Sequence, residues 1–141
     1  MLLQTNSYIV PEEKREEHAR LMRRFKQVLL KLGCEQFDVY EQTAPGWVPG
    51  ESGRCVQLMR FADRKQQHHV QQLERTDPAA QAVVAEFCAL LNIASQQEQG
   101  TFAAGFYQSV LHARDEATAK IEVKPPLGQI QGPTPPVSGT F

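Results

Sequence analysis

Along the first 111 residues, the spacing of apolar side chains switches between a strand period of two and a helix period of about 3.6. That order of switches limits the fold more than any single motif. Residues 2–10 alternate, with Leu3, Thr5, Ser7 and Ile9 on one side of an extended strand and Leu2, Gln4, Asn6, Tyr8 and Val10 on the other. Pro11 then suits the first position of a helix, where a missing N–H costs nothing. Glu12, Glu13, Glu16 and Glu17 come before Arg20, Arg23, Arg24, Lys26 and Lys31, an order that complements the helix dipole. Leu21, Met22, Phe25, Val28, Leu29 and Leu32 give this helix one apolar face, and Gly33 supplies its stop.

A second strand is expected over residues 35–42, with Phe37 and Val39 facing away from Asp38 and Tyr40. A loop marked by Pro45, Gly46, Pro49, Gly50 and Gly53 leads to a third strand at 54–61, so the two strands read as an antiparallel hairpin with Asp38 placed to pair with Arg60. Asp63 with Gln66 three residues on has the form of a capping box. That helix is expected to break near Thr76 and restart with Asp77 as cap and Pro78 in the first turn. Ala80, Val83, Val84, Phe87, Leu90 and Leu91 form its apolar face. Residues 95–100 read as a polar loop and 101–111 as a fourth strand. From 112 to 141 the Pro- and Gly-rich composition favours an extended or disordered tail, in which 121–123 can add an edge strand or an arm laid on a partner.

Strand, helix, hairpin, helix, strand is the split β-α-β order of ferredoxin-like folds, and right-handed crossovers put both helices on one face of the sheet. The expected domain is therefore α+β and spans residues 1–111. Its strands are apolar on both faces: Val56 and Leu58 oppose Cys55, Met59 and Phe61, and Phe102, Phe106 and Val110 oppose Ala103, Gly105 and Tyr107. A second greasy face calls for a second cover, and a homodimer packed sheet to sheet provides it; a tail folded over that face is the alternative.

Charge and motifs remove several function classes. A net charge of −1 gives no basic footprint for nucleic acid. The apolar runs are too short to cross a bilayer, and residues 1–8 lack a signal-peptide pattern, so a cytoplasmic protein is expected. Cys34, Cys55 and Cys88 show no metal or redox spacing and read as reduced thiols. No phosphate loop, nucleophile elbow or zinc motif is present, and no metal is expected.

The residues left to carry chemistry are few. Asn6 either orients a ligand or ties strands together. His68 and His69 diverge by about 100° on a helix, with His69 nearer the side of Val70 and Leu73; either can serve as a base or simply face solvent. His18, Tyr8, Tyr40 and Tyr107 are candidate pocket groups, with packing as the plain alternative, and Trp47 resembles a lid residue or a contact to a partner.

Asn6 in the first strand, the Phe61-Ala62-Asp63 junction, His68-His69 and the closing Gly105-Phe106-Tyr107 together resemble the dimeric α/β-barrel superfamily, in particular its antibiotic biosynthesis monooxygenase-like group. The resemblance spans residues 1 to about 111 and implies face-to-face sheets forming a barrel, with a pocket between sheet and helices. It implies a small hydrophobic or aromatic ligand and, in the oxygenase members, catalysis without a cofactor. On it, Asn6, His69 and Tyr107 are the candidate catalytic set, with Tyr8, His18, Tyr40, Trp47 and His68 as ligand contacts. A non-catalytic dimer that binds a ligand or a protein is one alternative. Haem binding or degradation is another, because haem-degrading members use a first-strand Asn and a second-helix His. Those members also carry a second-helix tryptophan, whereas Trp47 falls in the hairpin loop.

Overall fold

The computed structural model describes residues 1–44, 46–47 and 52–111; the expected tail at 112–141 lies outside them, as do Pro45, Pro49 and Gly50 of the hairpin loop. The chain runs β1 (Leu2–Ile9), a 3-10 turn (Glu12–Lys14), α1 (Arg15–Leu32), β2 (Gln36–Glu41), β3 (Arg54–Phe61), α2 (Arg64–Thr76), α3 (Pro78–Leu91), α4 (Ile93–Gln99) and β4 (Ala103–Gln108). The four strands form one antiparallel sheet in the order β2-β3-β1-β4. This is the expected α+β, ferredoxin-like arrangement.

Local chemistry explains most boundaries. Asp63 accepts from the Gln66 N–H at 2.8 Å while the Gln66 side chain accepts from the Ala62 N–H at 2.5 Å, so the capping box forms with its return bond one residue early. Asp77 accepts from the Ala80 N–H at 2.9 Å, and Pro78 opens α3 as expected. Gly33, at φ 122°, ends α1.

Four expectations need correction. Pro11 opens a 3-10 turn rather than α1 itself; the Lys14 N–H closes that turn on the Pro11 carbonyl at 2.9 Å, and Lys14 Nζ pins it to the Leu90 carbonyl at 2.7 Å. Asp38 lies opposite Leu58, not Arg60, because the hairpin register pairs Arg60 with Gln36; Asp38 instead accepts from Gln36 at 2.6 Å. Residues 95–100 are mostly helix, since Asn92 takes a left-handed conformation (φ 50°) and lets α4 start at an angle of 56° to α3. β4 is shorter than expected and pairs only with Leu2–Ser7.

The last two corrections share a cause. At Ile9, where β4 has already ended, the buried Gln96 side chain of α4 takes over the ladder. Its carbonyl accepts from the Ile9 N–H at 2.8 Å, and its amide donates to the Ile9 carbonyl at 2.8 Å and to the Leu91 carbonyl at 2.9 Å. One side-chain amide thus satisfies a strand end and a helix end that would otherwise be orphaned.

The helices cover one face of the sheet. Leu2, Tyr8, Phe37, Met59 and Phe61 from the strands meet Leu21, Phe25, Leu29, Val70, Val83 and Phe87 from the helices. Phe87 is the aromatic hub, edge-on to Tyr8 at 4.9 Å and to Phe25 at 5.9 Å, while Phe25 stacks on Phe37 at 5.8 Å. Alternation sends Leu3, Thr5, Ser7 and Ile9 to the other face, beside Val56, Leu58, Tyr40 and Tyr107. No described element packs over this second face. Tyr40 and Tyr107 are more than half exposed there, and Arg54 supplies polar contacts by donating to Ser7 Oγ at 2.8 Å.

Candidate functional site

Between the covered face of the sheet and the four helices lies a cavity of about 260 Å³. Its walls are aromatic and aliphatic: Phe25, Phe61, Phe87 and Phe102, with Leu29, Met59, Val70 and Ile93. Six side-chain amides also line it, those of Gln4, Asn6, Gln57, Gln67, Gln71 and Gln97. The only ionisable side chains in the lining are Glu74 and Cys88.

Four of the amides are held in place. Asn6 Nδ2 donates to Gln57 Oε1 at 3.0 Å, and Gln57 Nε2 in turn donates to Met22 Sδ at 3.2 Å. Gln67 Nε2 donates to Gln4 Oε1 at 3.3 Å. Gln57 and Gln67 are buried, so these bonds fix which end of each amide remains free toward the cavity. Glu74 forms no ion pair or hydrogen bond among the described residues, and burial raises its carboxyl above the ordinary carboxylate range.

A second hollow of about 680 Å³ lies where the start of α1 meets β2 and β3, with Val10, Arg15, His18, Met22, Val39, Glu41 and Cys55 in its lining. Its notable member is His18, which is buried and shares a 2.7 Å hydrogen bond between Nε2 and the Tyr8 hydroxyl. Burial lowers its imidazole to about 4, with Glu41 opposing weakly, so the ring is neutral near pH 7. Burial, with a smaller contribution from Cys55, also holds the Tyr8 phenol far above its usual range. The Cys55 thiol is pushed up to about 11, by burial first and Glu41 second. Neither Tyr8 nor Cys55 is an activated nucleophile.

The structure therefore separates the residues expected to act together. Asn6 faces the cavity. Tyr8 is fully buried behind it, and His18 borders the second hollow. Tyr107 lies on the opposite face of the sheet, because the β1–β4 register sets it across from Leu3 and not from Asn6 or Gln4. Its ring covers Gly105, where an added Cβ would come within 3.0 Å of it. Tyr40 is on that same far face, and Trp47 is 82% exposed in the loop. His68 and His69 are both exposed and line neither hollow.

Helix phase explains the histidines. Gln67, Val70 and Glu74 sit three and four residues apart and turn inward together, which swings 68 and 69 outward. Sequence reasoning did not single out Gln67, Gln71 and Glu74; their i, i+4 and i+3 spacing around Val70 was the signal that could have found them.

Haem does not fit this arrangement. The helix histidines that the resemblance would assign to it point away from the cavity, and Gln67 occupies the inward position. Among the described residues, no group of three or more His, Cys, Asp or Glu side chains is placed to hold a metal ion. No single described helix is long and apolar enough to cross a membrane.

No protein-family model matches the chain, and no curated protein does. Solved structures do match. SnoaB from Streptomyces nogalater, described as a cofactor-independent oxygenase, is 11% identical over 79% of this chain and 95% of its own, with a TM-score of 0.58. A protein described as an antibiotic biosynthesis monooxygenase is 12% identical over 79% of this chain and all (100%) of its own, with a TM-score of 0.57. Rv0793 from Mycobacterium tuberculosis is 17% identical over 79% of this chain and 97% of its own, with a TM-score of 0.55. The fold is that of the antibiotic biosynthesis monooxygenase-like proteins, as the sequence suggested, and at these identities the likeness is one of fold.

Proposed function

We propose that this protein binds a flat aromatic small molecule in the cavity beneath the sheet and oxygenates it without a cofactor. The observation that carries the reading is the set of six amides lining an aromatic enclosure, four of them held by hydrogen bonds in two pairs. Amides offer donors and acceptors without charge, which suits a ligand with hydroxyl or carbonyl substituents. The volume lies just under the range of about 300–1,000 Å³ usual for drug-sized ligands, so one or two rings is the fitting size. The fold shared with a cofactor-independent oxygenase supports the choice of chemistry, although fold alone licenses none.

Oxygen uptake tests this. With naphthohydroquinone, the protein is expected to consume oxygen above the uncatalysed rate, and Asn6→Ala should lower kcat/KM by roughly tenfold, one lost hydrogen bond in the transition state. Uptake no faster than buffer, with the ring compound nevertheless bound, would leave a binding protein and remove the enzyme.

The same reading includes a homodimer. The uncovered sheet face carries Leu3, Ile9, Val56, Leu58, Tyr40 and Tyr107, and a second copy of that face is its natural cover. Leu58→Asp, at the centre of the face, is expected to convert a dimer into a monomer by light scattering while leaving far-UV circular dichroism unchanged. A wild-type monomer would refute the dimer. Three free thiols, two of them buried, fit a reducing compartment and hence a cytoplasmic protein.

A further inference from the structure

The cavity has a mouth, and the mouth has a charge. Gln71, Glu74 and Val84 line both the cavity and an outer hollow of about 410 Å³ between α2 and α3. Val84 and Cys88, one turn apart on α3, are exposed although they line the cavity. Solvent therefore reaches the interior between these two helices, past the Glu74 carboxyl. Everything deeper is uncharged.

Glu74 is half-buried, and no described cation pairs with it. The nearest basic neighbour in sequence, Arg75, lines only the outer hollow. The other ionisable groups near the carboxyl are the thiols of Cys34, which feels the Glu74 charge, and Cys88. A desolvated carboxylate without a counter-charge is costly, and a ligand that brings a cation recovers that cost.

We infer that the ligand is an arylalkylamine, its ring among the phenylalanines and its ammonium at the mouth on Glu74. This rests on the binding site assigned above and names the class of molecule that fills it. The Gln71 carbonyl, at the same mouth, supplies an acceptor for a further ammonium proton. The carboxylate that pairs with the ammonium must be ionised, and burial raises the pH at which it becomes so. Affinity for the amine therefore rises with pH through the carboxyl's titration and levels off above it, as long as the amine stays protonated.

Titration of the full chain with naphthylmethylamine and with naphthalenemethanol, followed by calorimetry and NMR shift perturbation, decides the matter. The amine is expected to bind about tenfold more tightly than the alcohol. Glu74→Gln should abolish that difference and the pH dependence. Equal binding of the two compounds, or an amine affinity unmoved by Glu74→Gln, overturns the inference and leaves the cavity reading standing. Failure of both compounds to bind overturns the two together. The variant's own amide NMR spectrum reports whether it has kept its fold.

Discussion

Replacing Phe87 by alanine is expected to cost about 3–5 kcal/mol, the usual range for emptying a buried aromatic position. The side chain is 6% exposed and touches both Tyr8 and Phe25, so its loss strips two edge-on ring contacts as well as apolar area. Phe87 also walls the cavity, and truncation would enlarge an existing void instead of letting the core collapse. Urea denaturation of wild type, Phe87→Ala and Val84→Ala measures this. Val84 is on the same helix but 36% exposed, and its truncation should cost about 1 kcal/mol or less. A Phe87→Ala loss no larger than that of Val84→Ala would mean the aromatic cluster is not the centre of the core.

Acid is expected to loosen the fold through His18. The imidazole titrates at about 4 when folded and near 6.5 when free, so the unfolded chain binds the proton more readily. Stability from this group is fully present above pH 6.5, declines as pH falls, and is gone below about 4. The loss across that window is about 3 kcal/mol, set mainly by the burial that keeps the ring neutral. Protonation would also compromise the 2.7 Å bond if Tyr8 is donating to Nε2. Unfolding free energies at pH 7, 5.5 and 4, for wild type and His18→Gln, isolate the contribution from that of the carboxylates. The variant keeps a hydrogen-bonding group beside Tyr8 but does not titrate. Parallel pH profiles for the two proteins would show that His18 is not the acid-sensitive group.

Much of the fold was legible because its signals are local. The capping box at Asp63, the Asp77-Pro78 restart and the alternation in β1 and β3 all lie within a few residues of what they determine. The α4 segment was missed because Ser95, Gln96, Gln97, Glu98 and Gln99 look like a loop by composition. What holds that helix is Gln96 bonding to Ile9, 87 residues away, and no window of sequence contains both. The site was less legible for a similar reason. Alternation correctly split β4 into two faces, but only the register with β1 says which face meets the helices, and it sent Tyr107 away from Asn6. The inward glutamines of α2 were hidden by their polarity, since a polar position on an amphipathic helix ordinarily marks its solvent side. Asn6 was found because the resemblance assigns a role to a first-strand Asn; Gln4 and Gln57, strand amides lining the same cavity, carried no such mark.

The strand order β2-β3-β1-β4 places the earliest of the domain's four strands at the interior of the sheet. During synthesis Leu2–Ile9 emerges long before either neighbour, and its second edge stays bare until Gln108 has left the ribosome. Vectorial growth thus gives this domain no early stopping point: a nascent chain cut short anywhere ahead of β4 holds one edge of an interior strand open to whatever else is in the tunnel's vicinity.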